Sequence, residues 1–339
     1  MTNKTGPFFQ LYDKNIQLQK SITSFLLEAA TAGAPLHDLL HGTQIFANDL
    51  TQPEGRCHHR DWLTLLERCQ PFISPTLPFA AADNLLHNPD HSLCQSLLRA
   101  PDLARSLRQL FYFRHQLMPS IFVLVRKSHT RISIIVKAAL PLHAQQPLVL
   151  HLVMAFLIQL IQLTTGQAAA LSLQLKAPPR AQNVAAWPCK TQFSQPLDAL
   201  HIPLHLWQQP LAQQDAKEFR ALTRACYQLN QSLPKQRGIW ELIQRQQVKA
   251  LPGTLTLQQA AVKLGLSPSS LKRLLQLQHT HFAALLDDIR CDLAGFLLQQ
   301  QHSNRQLASQ LGYSDEHNFR RAFKRWTGNV PSSLRLPVS

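Results

Sequence analysis

The stretch LGYSDEHNFRRAFKRWTGNVPSSLR, residues 311–335, gathers five Lys/Arg and four aromatic residues near the end of a 339-residue chain. Phe319, Ala322, Phe323 and Trp326 fall at i, i+3, i+4 and i+7, the spacing of one buried helix face. His317, Arg320, Arg321 and Lys324 then project from the other side. The rings anchor the helix and the cations face a polyanion. That is the chemistry of phosphate contact and base reading in double-stranded DNA.

A second set lies at 256–278, TLQQAAVKLGLSPSSLKRLLQLQ. Leu271, Leu274 and Leu275 share one helix face, and Ser269, Lys272, Arg273 and Gln276 occupy the opposite one. Short polar and basic side chains on the outer face of the second helix of a tight pair suit the major groove.

The elements that must position these residues are legible on either side of them. Leu257, Ala260, Ala261 and Leu264 form the inner side of a short helix, Gly265 permits the turn, Ser267 is a ready N-cap and Pro268 suits the first helical position. The pattern recurs over 303–311, with Leu307, Ala308 and Leu311 inward, Gly312 ending the helix, Ser314 expected to cap the next one and Gly328 stopping it before Pro331. Between the units, Phe282, Leu285, Leu286, Ile289, Leu293, Phe296 and Leu297 make one long stripe. A stiff helix there would hold the two recognition helices about 34 Å apart, one turn of DNA.

Composition agrees with such a partner without requiring it. The chain has 34 Lys+Arg against 19 Asp+Glu, a net charge of +15, with 45% hydrophobic and 16% charged residues. That is a globular composition with a surplus that draws nucleic acid or an anionic membrane, although a generally basic solvated surface would look the same. Residues 1–250 hold 24 basic and 14 acidic residues and 251–339 hold 10 and 5, so the +10 of the larger part is not explained by DNA reading in the tail. Six cysteines, at 57, 69, 94, 189, 226 and 291, form no CxxC pair and read as free thiols in a reducing cytoplasm. The start of the chain shows no apolar signal region, and the run Leu148–Leu163 is short and interrupted by His151, Gln159 and Gln162, which suits a buried helix and no membrane partner.

Helices are expected over 15–40 (Ile22, Phe25, Leu26 and Ala29 on one face), 61–70 and 103–115. A hairpin is expected from 121–126 and 131–138 around Lys127–Thr130, then the apolar helix 148–163, then a strand at 171–176 with Leu171, Leu173 and Leu175 on one side. The predicted fold class is an α+β sensor domain over 1–232, a linker over 233–254 that is helical in part through Ile239, Leu242 and Ile243, and an all-α domain over 255–339 with two helix-turn-helix motifs joined by a linker helix.

Other candidate chemistry is thinner. RCHHR at 56–60, with Cys69, matches no zinc spacing and is expected to be a surface loop, so no metal is assigned. No nucleophile elbow, phosphate loop or paired glycine motif suggests an enzyme, and no cofactor is implied. The basic run Arg105, Arg108, Arg114, Arg126, Lys127, Arg131 and Lys137 would line a pocket for an anionic effector, extend the DNA-facing surface, or simply be solvated; Arg114 and Arg131 are the residues chosen for the first reading.

At AAVKLGLSPSSLKRLL (260–275), FAALLDDIRCDLAGFLL (282–298) and LASQLGYSDEHNFRRAFKRWTGNVPSSLR (307–335) the chain resembles the AraC/XylS family of bacterial transcription regulators. The resemblance implies that Ser269, Ser270, Lys272 and Arg273 lie on a first recognition helix and Glu316, His317, Arg320, Arg321 and Lys324 on a second. Two positions depart from the family pattern: His279 stands where a glycine is usual, so a different turn is expected, and Leu274 follows Arg273 where a second Arg is common. More loosely, LLRAPDLARSLRQLFYF (97–113) and WPCKTQFSQPLDALHIPLHLWQQPL (187–211) resemble the subgroup with an arabinose-binding-like front domain. A cytoplasmic activator follows, controlled by a small-molecule effector or by homodimer formation and acting with RNA polymerase. The rivals are a sequence-independent architectural DNA binder and an effector-binding scaffold whose tail is only a helical bundle.

Overall fold

In the computed structural model, which describes residues 8–18, 22–31, 33–52, 55–179, 187–232 and 237–334, the front begins with strand β1 (Lys14–Gln17) and helices α1 (Ile22–Thr31), α2 (Leu36–Leu40) and α3 (Ala47–Thr51). Strand β2 (Arg56–His58) pairs antiparallel with β1 and runs into α4 (His59–Cys69). Helices α5 (Leu77–His87), α6 (Ser92–Arg99) and α7 (Leu103–Phe113) precede the hairpin of β3 (Ile121–Lys127) and β4 (Arg131–Ala138). Then come α8 (Gln146–Thr165), β5 (Ser172–Gln174), β6 (Lys190–Gln192), β7 (Ala199–Pro203), α9 (Leu204–Trp207) and α10 (Ala216–Ser232).

The hairpin sets the architecture. Its register pairs Val123 with Val136, and the five strands lie in the order β3-β4-β7-β5-β6, antiparallel except for the β5–β6 pair. Side chains alternate across the pleat. Ile121, Val123, Ile132, Ile134 and Val136 enter a large core shared with α4 to α8, whereas Phe122, Leu124 and Ile135 enter a second core on the opposite face. Residues 121–124 and 134–136 are apolar in succession because both faces of the sheet are covered there. The long helix α8 is buried on nearly every side for the same reason, with Met154, Ala155, Phe156 and Ile158 all sealed.

Three expectations change. The segment 15–40 is not helical throughout: Ile16 and Gln17 pair with Cys57 and Arg56, a partner about forty residues away that local periodicity does not reveal, and the helical period starts only at Ile22. Side chains at Ile22 and Phe25 lie outside the described set. RCHHR is not a surface loop but the β2–α4 junction; His59 is buried, with its ring nitrogens 2.9 Å from Ser120 Oγ and 2.8 Å from Pro141 O. Burial holds its imidazole down at about 4, hence neutral. Around 171–176 the strand itself is only Ser172–Gln174, although Leu171, Leu173 and Leu175 are buried as expected. Strands β6 and β7 had no separate expectation; β7 is short, ends at Pro203 and lies between β4 and β5.

The tail is helical: α11 (Ile239–Ala250), α12 (Leu257–Lys263), α13 (Pro268–Leu277), α14 (Phe282–Leu298), α15 (Asn304–Gln310) and α16 (Glu316–Thr327). It has two cores, not one. Ala260, Ala261, Leu264, Leu271, Leu275 and Leu285 pack with Ile239 and Ile243 and with Phe8, Phe9 and Leu140 from the front. Ile289, Leu293, Leu307, Leu311, Phe319 and Phe323 pack on Phe122, Leu124, Ile135, Leu197 and Ala199 of the sheet.

Candidate nucleic-acid interface

The two helix pairs are built by the same local rules. Thr256 accepts from Gln259 N at 3.2 Å while Gln259 Oε1 accepts from Thr256 N at 3.0 Å; Ser303 and Gln306 repeat this box at 3.2 and 2.8 Å. Each short helix then ends in a left-handed glycine, Gly265 at φ 68° and Gly312 at φ 75°. At Gly312 a Cβ would also stand 2.3 Å from Pro252 O, so no other residue fits.

Ser267 caps α13 as expected, accepting from Ser270 N at 3.1 Å. The cap of α16 is Asp315 rather than Ser314: its Oδ1 accepts from Asn318 N at 2.8 Å, and Ser314 Oγ instead donates to Asp315 Oδ2 at 3.0 Å. The Asn318 N–H, then the Ser314 hydroxyl, hold the Asp315 carboxyl below the usual carboxylate range. The one-residue shift has a packing cause. It puts Phe319 at the fourth helical position, where Leu271 stands in α13, so both anchors enter their cores at the same turn.

With that register, Ser269 corresponds to His317, Lys272 to Arg320, Arg273 to Arg321 and Gln276 to Lys324. All eight are exposed, as are Ser270 and Glu316. Among the described residues no ion pair engages Lys272, Arg273, Arg320, Arg321 or Lys324, so their charges are free for an external anion. Beneath them Phe319 and Phe323 are sealed, and Trp326 is half-buried. Arg290 of α14 lies over the Tyr313 ring at 4.7 Å and Arg325 reaches Asp287 at 2.8 Å, which ties α16 and the turn before it to α14. Sequence reading passed over Asn318. It matches Ser270 in register and is exposed, and its amide donates to Ser314 Oγ and Asp315 Oδ2 at 2.9 and 2.8 Å; the available signal was its place three residues after Asp315, where a cap's partner stands.

The turn before α14 passes through His279 in this chain. Its φ is 54°, in the left-handed region, with Thr280 N donating to Leu275 O at 3.0 Å. The hydrogen bonds that close the helix hold the backbone there, at some strain for a residue with a Cβ.

The basic run of the front divides. Arg105, Arg108 and Lys127 are exposed and Arg126 is half-buried. Arg114 and Arg131 do not open into a common pocket: Arg114 is buried against Glu241 of α11 and donates to Ile121 O at 3.1 Å, and Arg131 reaches Gln299 at the end of α14. Lys137 is buried between Asp288 and Asp292. These cations join the front half to the tail.

An α+β front domain followed by paired helix-turn-helix units with basic outer faces defines a class, the helix-turn-helix transcription regulators. Two family models match: the arabinose-binding N-terminal domain of the AraC transcription regulator over residues 33–211 and a helix-turn-helix domain over 260–336. The chain belongs to the AraC transcription regulators. It is 35% identical over 146 residues to an ornithine utilization regulator of Pseudomonas aeruginosa, covering 42% of this chain and 43% of that protein. An HTH-type transcriptional regulator of Mycobacterium tuberculosis (strain H37Rv) is 30% identical over 141 residues, 41% of each chain. The chain thus spans less than half the length of these relatives. The crystal structure of the transcriptional regulator CdpR from Pseudomonas aeruginosa is 19% identical, with a TM-score of 0.37, covering 79% of this chain and 90% of that one.

Proposed function

We propose that this protein is a sequence-specific DNA-binding regulator in which α13 and α16 read bases and do so in tandem. The supporting observation is the repeated geometry: two capped, glycine-turned helix pairs, each with its anchors buried and its polar and cationic side chains exposed. Phosphate contacts supply salt-dependent affinity and position the protein, and the outward side chains specify the site. The protein acts in the cytoplasm, by binding and not by catalysis, as an activator working with RNA polymerase, and it responds to a small-molecule effector or to pairing with a second copy. The test is capture of genomic fragments by the full chain, followed by affinity on the captured site and on random duplex at two salt concentrations. A steep salt dependence and a large specificity ratio are expected. A ratio near one would mean an architectural binder, and no salt-dependent retention would mean a scaffold. For Arg114 and Arg131, an anionic effector would have to displace Glu241 or Gln299; unchanged ligand affinity in Arg114→Ala and Arg131→Ala would remove that role.

A further inference from the structure

We infer that the front sheet, through Lys137 as a positioning residue, sets the distance and angle between the two reading units, which a free linker helix would leave loose. The inference rests on the tandem DNA reading proposed above.

Each unit is anchored to the front separately. The first completes its core with Phe8, Phe9 and Leu140, the second with Phe122, Leu124, Ile135, Leu197 and Ala199. The helix between them is held by one face. Asp288, Cys291, Asp292 and Gly295 recur at i, i+3, i+4 and i+7 and lie against the sheet side. Gly295 has no room for a side chain: a Cβ would stand 2.7 Å from Leu197 Cδ2 and 2.8 Å from Pro196 Cγ. A glycine in mid-helix weakens the helix, so its place here is explained by the close approach of the Pro196 ring and the Leu197 side chain. One helical turn earlier, the Lys137 ammonium on β4 sits between the Asp288 and Asp292 carboxylates. Lys176 lies 2.8 Å from Asp292, and Gln244 of α11 donates to Asp288 at 2.9 Å. Front sheet, linker helix and the helix that opens the tail therefore meet at one carboxylate. With Lys137 and Asp292 only 4% and 1% exposed at the side chain, the pair tolerates little sliding. Removing one partner leaves a buried charge, whereas removing both with apolar residues of similar volume need not.

Because adjacent base pairs are about 3.4 Å apart, a small shift of the helix on the sheet changes which half-site spacing fits. The experiment is selection from a random-sequence duplex library with the full chain, carried out for wild type, Lys137→Met, Gly295→Ala and Lys137→Met/Asp292→Leu, with a thermal melt of each. The winning wild-type duplex is then compared with copies in which one base pair is inserted or deleted between the half-sites. Wild type is expected to enrich two half-sites at one spacing. Lys137→Met and Gly295→Ala should lower the preference for that spacing at least about fivefold, and the double variant should restore it. Gly295→Ala buries no charge, so it carries the test if Lys137→Met does not fold. Uniform loss of affinity on all spacings, with the preference intact, would overturn the inference and leave Lys137 a purely structural residue. Enrichment of a single half-site would also overturn it while sparing DNA reading. Enrichment of no sequence would overturn the proposed function itself, and this inference with it.

Discussion

Arg320 and Arg321 stand at the positions that Lys272 and Arg273 hold in the first unit, exposed and free of ion pairs among the described residues. A guanidinium can grip guanine with two parallel hydrogen bonds, so Arg320→Ala or Arg321→Ala is expected to weaken specific binding by about 1–3 kcal/mol. Titrations on the captured site and on random duplex decide the role: equal losses on both would mean phosphate contact only. The capping residue supplies a second expectation. Asp315→Ala should destabilise the protein by about 1 kcal/mol in urea unfolding, and Ser314→Ala by clearly less, because only the Asp315 carboxylate accepts from the helix backbone. The reverse order would restore Ser314 as the cap.

Among the elements, α14 was legible as a stiff helix but not as a clamped one. The seven-residue stripe of large apolar side chains describes the sides that pack on the two units, Leu285 in the first core and Ile289, Leu293 and Phe296 in the second. What it omits is the face carrying Asp288, Asp292 and Gly295, where two acids and a glycine gave no sign of burial. The apolar run LAGFLL, residues 293–298, was the available signal, since a helix without a polar side is covered all round. The turn that precedes it tests backbone strain. His279→Gly should stabilise the protein by about 1 kcal/mol in thermal or urea unfolding, because glycine enters the left-handed region without the Cβ penalty. No change would mean that the contact between the His279 and His143 rings, 6.0 Å apart at their centres, offsets the strain.

At the scale of the whole molecule, several histidines are neutral inside the fold. Burial pushes His59 and His115 down to about 4 and His201 to about 3. The unfolded chain takes up a proton at each near 6.5, which the folded chain refuses. Stability is therefore complete above about pH 6.5 and drains away as pH falls towards 4, by about 1.4 kcal/mol per histidine for each pH unit crossed. Urea midpoints at pH 7.5 and pH 5 measure this; a flat profile would mean that these rings are solvated.

Taken alone, the sequence determined the DNA-reading units, because capping boxes, glycine turns and the 3.6-residue spacing act within about twenty residues of one another. It determined the β3–β4 hairpin and the class of fold for the same reason. Only the tertiary structure decided that β1 pairs with β2, that Arg114, Arg131 and Lys137 turn towards the tail, and that the tail's two cores are each finished by the front half. Those choices depend on contacts between residues far apart in the chain, where what matters is which surfaces meet and which buried charges find a partner, and no local period records that.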